Sequence, residues 1–281
     1  MLTIIGFVVV IASVLIGYIL SGGALAVLLQ PYEFLIIFGA ALGAFIASCT
    51  NYVFRQALKQ LPQVFFPKAI SKLTYLQTLS VLHALFSKMH REGIISIEKD
   101  IEDPKSSAIF SSSPLIAKDL QACYFISDTL RTFLTTGKAD ELGELMDTDV
   151  ESINTELEVA PHNLETMAES LPGMGIVAAV MGVVITMNYL DSPPDVLGHH
   201  IGAALLGTFL GILLCYGIFG PIAHKLANLQ VERITYFRCI REAVMAALRG
   251  LSPMIALEYG RRSIPPTYRP TFLEMEKTLK G

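Results

Sequence analysis

LPGMGIVAAVMGVVITMNYLDSPPDVLGHHIGAALLGTFLGILLCYGIFGPI, residues 171–222, decides the fold. Leu171–Tyr189 and Ile201–Ile222 are uncharged, apolar runs, each near the roughly 20 residues that carry an α-helix across a bilayer. Asp191-Ser192-Pro193-Pro194-Asp195 between them is short and polar, so the two runs form a hairpin. Working outward, a second pair lies near the amino terminus, Leu2–Leu20 and Glu33–Cys49. An uncharged turn from Ser21-Gly22-Gly23 to Pro31 joins them. The reading is therefore an all-α, polytopic membrane protein: four transmembrane helices with a helical cytoplasmic domain.

Composition agrees. The 281 residues are 52% hydrophobic and only 16% charged, with mean hydropathy +0.53, whereas a soluble domain is about 25% charged. The net charge of −4 gives no reason to expect a nucleic-acid partner. Cys49, Cys123, Cys215 and Cys239 are far apart and form no CxxC pair, which points to buried apolar residues rather than a disulfide frame or a zinc site. The first run has no basic residues before it and exceeds the usual signal-peptide core, so it reads as a retained span.

Orientation follows from the basic residues. Neither hairpin turn has a Lys or Arg. The segment after the second run has Arg55, Lys59, Lys68 and Lys72, and the segment after the fourth has Lys225, Arg233, Arg238 and Arg241. Cytoplasmic segments carry the excess of Lys and Arg, so both termini and both basic segments are expected in the cytoplasm. Tyr18, Tyr32 and Tyr189 then form an aromatic belt at the outer interface. The expected organisation is a hairpin at 1–49, a cytoplasmic helical domain at 50–170, a second hairpin at 171–222, and a cytoplasmic helix and tail at 223–281.

The cytoplasmic stretches read as helix. Leu73, Leu76, Leu79, Leu82, Leu85 and Met89 keep a three-to-four spacing that Gly93 can cap. Ser113-Pro114 is a helix start and Gly137 a stop. Ala139 to Leu157 is acidic and amphipathic, with Leu142, Leu145, Met146 and Ile153 as its stripe. Leu226, Leu229, Phe237, Ile240 and Val244 extend the fourth helix beyond Pro221.

No Asp, Glu, Lys, Arg or His lies in the hydrocarbon part of any span, and Glu33 sits only at an edge. An ion pathway needs such a group inside the membrane, so an ion crossing here needs a carboxylate from another chain. Other features suit a pathway. Pro172 and Pro221 each free a backbone carbonyl, Thr208 puts a hydroxyl near mid-membrane, and Tyr216 adds a phenol. Thr208 has a plainer reading, a bond to its own helix. Small residues recur at Gly39-Gly43-Ala47, Gly175-Ala179 and Gly207-Gly211. They serve either packing within one bundle or packing against other chains. Asp191, Asp195, His199 and His200 form no metal site in this reading, because Pro193-Pro194 breaks their spacing. They act as an acidic rim. No nucleophile–base set and no phosphate loop is present, so no enzyme activity or cofactor is expected.

Ser21-Gly22-Gly23 with Gln30-Pro31-Tyr32-Glu33, the run Ser170-Leu171-Pro172-Gly173-Met174-Gly175 continuing to Gly182, Gly207-Thr208-Phe209-Leu210-Gly211, and the tail Ile255-Ala256-Leu257-Glu258-Tyr259-Gly260-Arg261 with Arg269-Pro270-Thr271-Phe272 occur in order along nearly the whole chain. Together they resemble the MotA family of flagellar motor stator subunits in the bacterial inner membrane. The resemblance implies a ring of five copies around two copies of a MotB-like partner that supplies the ion-binding Asp. Ion binding and release there would ratchet the ring, and the 50–170 domain would push on the rotor switch-ring protein FliG. Pro172 and Pro221 match the family's coupling prolines and Thr208 its pathway threonine. Sodium-type relatives place threonines at Ala179 and Gly207. Without those hydroxyls the sodium hydration shell has no substitute, so protons are the expected ion and sodium less so. Glu98 fits the family's acidic rotor contact. The basic position falls on His90, with Arg91 beside it, and either can take the role. The rival readings are a TolQ/ExbB-type energiser, disfavoured by the extra amino-terminal hairpin, and a stand-alone channel, disfavoured by the missing intramembrane charge.

Overall fold

The computed structural model describes residues 2–67 and 70–280, apart from the side chains of Ala26 and Lys280. Lys68, one of the basic residues used for orientation, lies outside them. Among the described residues all regular secondary structure is helical, and four helices are long and apolar enough to cross a membrane. The chain is thus an integral membrane protein of four spans. Two compact units are present: Met1–Lys68 with Leu157–Leu229, and Ala69–Glu156 with Gln230–Gly281.

In the first unit, Leu2–Leu20 is the first span and has no buried residue. Its exposed Ile4, Ile5, Val8 and Val9 suit a lipid-facing helix, because lipid is as apolar as the side chains. The second span, Pro31–Ser48, starts with Pro at its first turn, where a missing N–H costs nothing, and buries Ile37, Ala41 and Phe45. The third span is the apolar end of Ala139–Thr186, and the fourth is Pro194–Leu214. Ile37 and Ala41 pack with Ala168, Leu171, Ala178 and Leu214. Below them Phe45, Ala57, Val64, Leu164, Met167, Ile222 and Leu226 form a second apolar cluster.

The second unit is built on Lys72–Glu92. Ser71 and Thr74 cap its start reciprocally, and Gly93 at φ +83° ends it, a backbone shape that costs glycine little. Its buried face is Tyr75, Thr78, Leu79, Leu82, Leu85 and Phe86. The expected stripe is thus off at its first turn: Leu73 is 56% exposed. Thr78 turns inward because its hydroxyl shares a 2.8 Å hydrogen bond with the buried Tyr236 hydroxyl.

Two further expectations shift. The helix from Pro114 stops at Ala117 and restarts at Leu120, since Asp119 accepts from the Ala122 N–H and starts a new helix. That second piece ends at Gly137, φ +65°, as expected. The acidic helix from Ala139 does not stop near Leu157 but runs through Pro161 and Pro172 to Thr186. A proline removes one N–H from a helix, a loss that the remaining bonds of a 48-residue helix outweigh.

Candidate functional site

The third and fourth spans meet backbone to backbone. A Cβ on Gly175 would lie 2.8 Å from the Gly207 carbonyl oxygen and 3.2 Å from the Gly211 Cα. A Cβ on Gly211 would lie 2.7 Å from the Leu171 oxygen, and one on Gly182 would lie 2.7 Å from the Ala204 Cβ. These glycines pack one helix of the chain on the next, as small residues do where no hydrophobic force acts between helices. Gly39 and Gly43 differ: a Cβ on either would meet no other helix of the chain.

The candidate pathway residues lie along this seam. Gly207 is buried in it, and its absent Cβ would sit 3.0 Å from the Ala179 nitrogen and 3.1 Å from the Gly175 oxygen. A larger residue at 207 therefore requires the two spans to separate. Ala179 and Thr208 are half-buried at its edge. Thr208 departs from its plainer reading. Thr78, Thr129, Thr186 and Thr235 each donate to the carbonyl four residues back. Thr208, alone among the threonines of the spans' interiors, has no hydrogen bond within the described residues. Beside it the third span leaves Ile176, Val180 and Val184 exposed.

Pro172 is half-buried inside its helix, and Pro221 is exposed. A turn of π-helix, Cys215–Phe219, precedes Pro221, and the Gly220 N–H donates to the Cys215 oxygen five residues back. Pro221 cannot donate to Gly217, and its ring crowds that carbonyl. The widened turn accommodates both. A Cβ on Gly220 would come within 2.9 Å of the Cys215 oxygen. Tyr216 lies in this turn and is 74% exposed. Sequence reasoning missed the π turn. Its one signal was a proline in the middle of a long helical run, since π bulges collect where a helix must absorb a defect.

In the second unit His90, Arg91 and Glu98 are all exposed. The chain folds back after Gly93, with Ser96 donating to the Lys88 carbonyl at 3.3 Å, so the helix end and Glu98 lie on one compact turn. His90 also borders a cavity of about 290 Å³ lined by Phe86, Met89, Ile94 and Leu251. Burial, then the charge of Arg91, pushes the His83 pKa below its ordinary value. Asp100, two residues on from Glu98, is buried and occupied by Lys88 at 2.8 Å and Ser107 at 2.6 Å.

Comparison with known proteins follows the same division. Residues 4–93 match the model for the Motility protein A N-terminal region, and residues 117–238 match the MotA/TolQ/ExbB proton channel family. A four-span helical chain that matches both models is thus of the MotA/TolQ/ExbB class. Motility protein A of Salmonella typhimurium is 39% identical over 282 residues, spanning 100% of this chain and 96% of that one. Chemotaxis protein LafT of Vibrio parahaemolyticus is 34% identical over 98% of this chain and 96% of its own. Among solved structures, Campylobacter jejuni MotAB superposes with TM-score 0.78 at 21% identity, covering 94% of this chain and 95% of that one. The flagellar MotAB stator complex of Bacillus subtilis gives 0.75 at 22%, over 95% and 96%. The chain belongs to the Motility protein A family and is a subunit of the flagellar stator.

Proposed function

We propose that this chain couples proton flow to torque on the flagellar rotor. It works as a homo-oligomer, a ring of five, around a MotB-like dimer in the inner membrane. Both termini and the 50–170 segment are cytoplasmic. The observation that carries the reading is Thr208: an intramembrane hydroxyl with no hydrogen bond within the described residues, in a hairpin whose apolar runs 171–189 and 201–222 hold no Asp, Glu, Lys, Arg or His. Such a hydroxyl has its donor and acceptor free for a carboxylate and water from a neighbouring helix. The exposed Ile176–Val180–Val184 face offers that helix an apolar surface. Pro172, and Pro221 with its π turn, are the points at which the spans give during the cycle. Glu98, with Arg91 or His90, meets FliG.

Protons rather than sodium are the coupling ion, because Ala179 and Gly207 add no oxygen ligands beside Thr208. The test is reconstitution with a co-purified single-span, Asp-bearing partner. Proton flux should require both chains, and swimming should persist without sodium at constant pH. Flux through the chain alone, or motility that stops when sodium is withdrawn, overturns the reading. For the rotor contact, charge reversal at Glu98 and Arg91 should abolish swimming while stators still assemble. Normal swimming in every variant removes these residues from it.

A further inference from the structure

Residues 51–66, between the second span and the second unit, make a surface to which the proposed function gives no residue role. Thr50 accepts from the Val53 N–H and starts the helix Asn51–Gln60, followed by Pro62–Phe65. Ala57 and Val64 are buried with Phe45, Leu164 and Ile222. The other side holds Tyr52, Leu58 and Phe66, which are 52%, 54% and 81% exposed. Arg55 and Lys59 are exposed beside them. No Asp or Glu occurs from residue 50 to 67, and neither cation has an ion pair among the described residues.

Three contacts set the depth of this surface. Thr3 in the first turn of the first span donates to the Val64 carbonyl at 3.4 Å. The Phe7 ring lies 6.5 Å from Phe65, and the Phe45 ring near the end of the second span lies 6.3 Å from Phe54. The segment is therefore level with the ends of two apolar spans, where hydrocarbon gives way to headgroups. At that level a bare Phe66 meets acyl chains, and unpaired cations one helical turn apart meet phosphates.

We propose that residues 51–66 bind anionic phospholipid: Arg55 and Lys59 hold the phosphate headgroup, and Tyr52, Leu58 and Phe66 enter the acyl boundary. Arginine suits the role because its fork pairs two phosphate oxygens at once. The occupant is a lipid and not free phosphate, because the exposed Tyr52, Leu58, Phe65 and Phe66 give the cations an apolar flank.

The chain has no tryptophan, so full-length Phe66→Trp carries a single reporter. In vesicles of mixed phosphatidylglycerol and phosphatidylcholine, bromine is placed on the acyl chains of one lipid at a time. Brominated phosphatidylglycerol should quench the tryptophan more than its share of the bilayer predicts. That preference should fall by about fivefold for each charge removed in Arg55→Gln and Lys59→Gln, and persist in Arg55→Lys with Lys59→Arg. Equal quenching by both lipids, no quenching by either, or a preference untouched by the double Gln variant would overturn the proposal.

Discussion

Gly175 and Gly211 touch through their backbones: a Cβ on Gly211 would lie 3.0 Å from the Gly175 Cα and 3.3 Å from its nitrogen. Every atom in the way is main chain, so nothing flexible can yield. Gly211→Ala should cost about 1–3 kcal/mol by prising the two spans apart, read as a lower melting temperature of the purified protein in detergent. Gly43→Ala is the control. Its Cβ would meet nothing within 4 Å in the chain, and alanine is the better helix former, so the same measurement should be unchanged or higher. Equal losses in both variants would contradict the seam.

Thr208 gives a second test, because its hydroxyl makes no hydrogen bond among the described residues. Thr208→Val should leave the melting temperature within the usual scatter of a neutral substitution, about 0.5 kcal/mol, while swimming is lost. Thr208→Ser, which keeps the hydroxyl, should swim. A Val variant that swims normally removes Thr208 from the ion path. The reverse pattern is expected at Thr186, whose hydroxyl already donates to Gly182 at 2.8 Å.

These two sites also mark how far the sequence could be read. Hydropathy suffices for four spans, because twenty apolar residues have one low-energy state in lipid. The glycine spacing announced close packing, but spacing alone cannot say whether the partner is the next span or another chain. Gly175 and Gly211 turned out to face inward and Gly43 outward. The π turn before Pro221 was illegible, since one extra residue in a helical turn barely alters the hydropathy pattern. The restart at Asp119 is legible as a cap, but Pro114 offers a stronger start signal five residues earlier and masks it. The inward turn of Thr78 was hidden because its partner, Tyr236, is distant in sequence.

Asp119 and Arg233 should behave as one unit. The Asp119 carboxylate starts the helix Leu120–Thr136 and accepts both terminal nitrogens of Arg233, whose guanidinium lies 4.5 Å from the Phe237 ring centroid. Both side chains are only 22% exposed, so neither is well solvated when its partner is gone. Asp119→Ala should cost about 2–3 kcal/mol, part lost cap and part stranded charge. Adding Arg233→Ala should cost less than the sum of the single changes, by more than about 1 kcal/mol in a double-mutant cycle. Strict additivity would show that the pair is not coupled.

Glu258 supplies the pH test. Its carboxylate accepts Arg261 through two bonds of 2.6 Å and Arg262 at 2.7 Å. Arg261 first, and Arg262 after it, hold its pKa at about 2, against an ordinary 4.5. The folded protein thus binds this proton less readily than the unfolded chain. The stabilisation is complete above about 4.5 and drains away as pH falls toward 2. Arg261 also donates to the Pro270 carbonyl at 2.9 Å, so the pair ties the tail to the helix Pro253–Ser263. Glu258→Gln should lower stability at neutral pH by about 1.5–3 kcal/mol, the range for hydrogen bonds to a charged group. Measured by thermal melting, the gap between wild type and Glu258→Gln should narrow steadily below pH 4.5. A gap that stays constant down to the acid limit would mean that the charge of Glu258 is not what holds the tail.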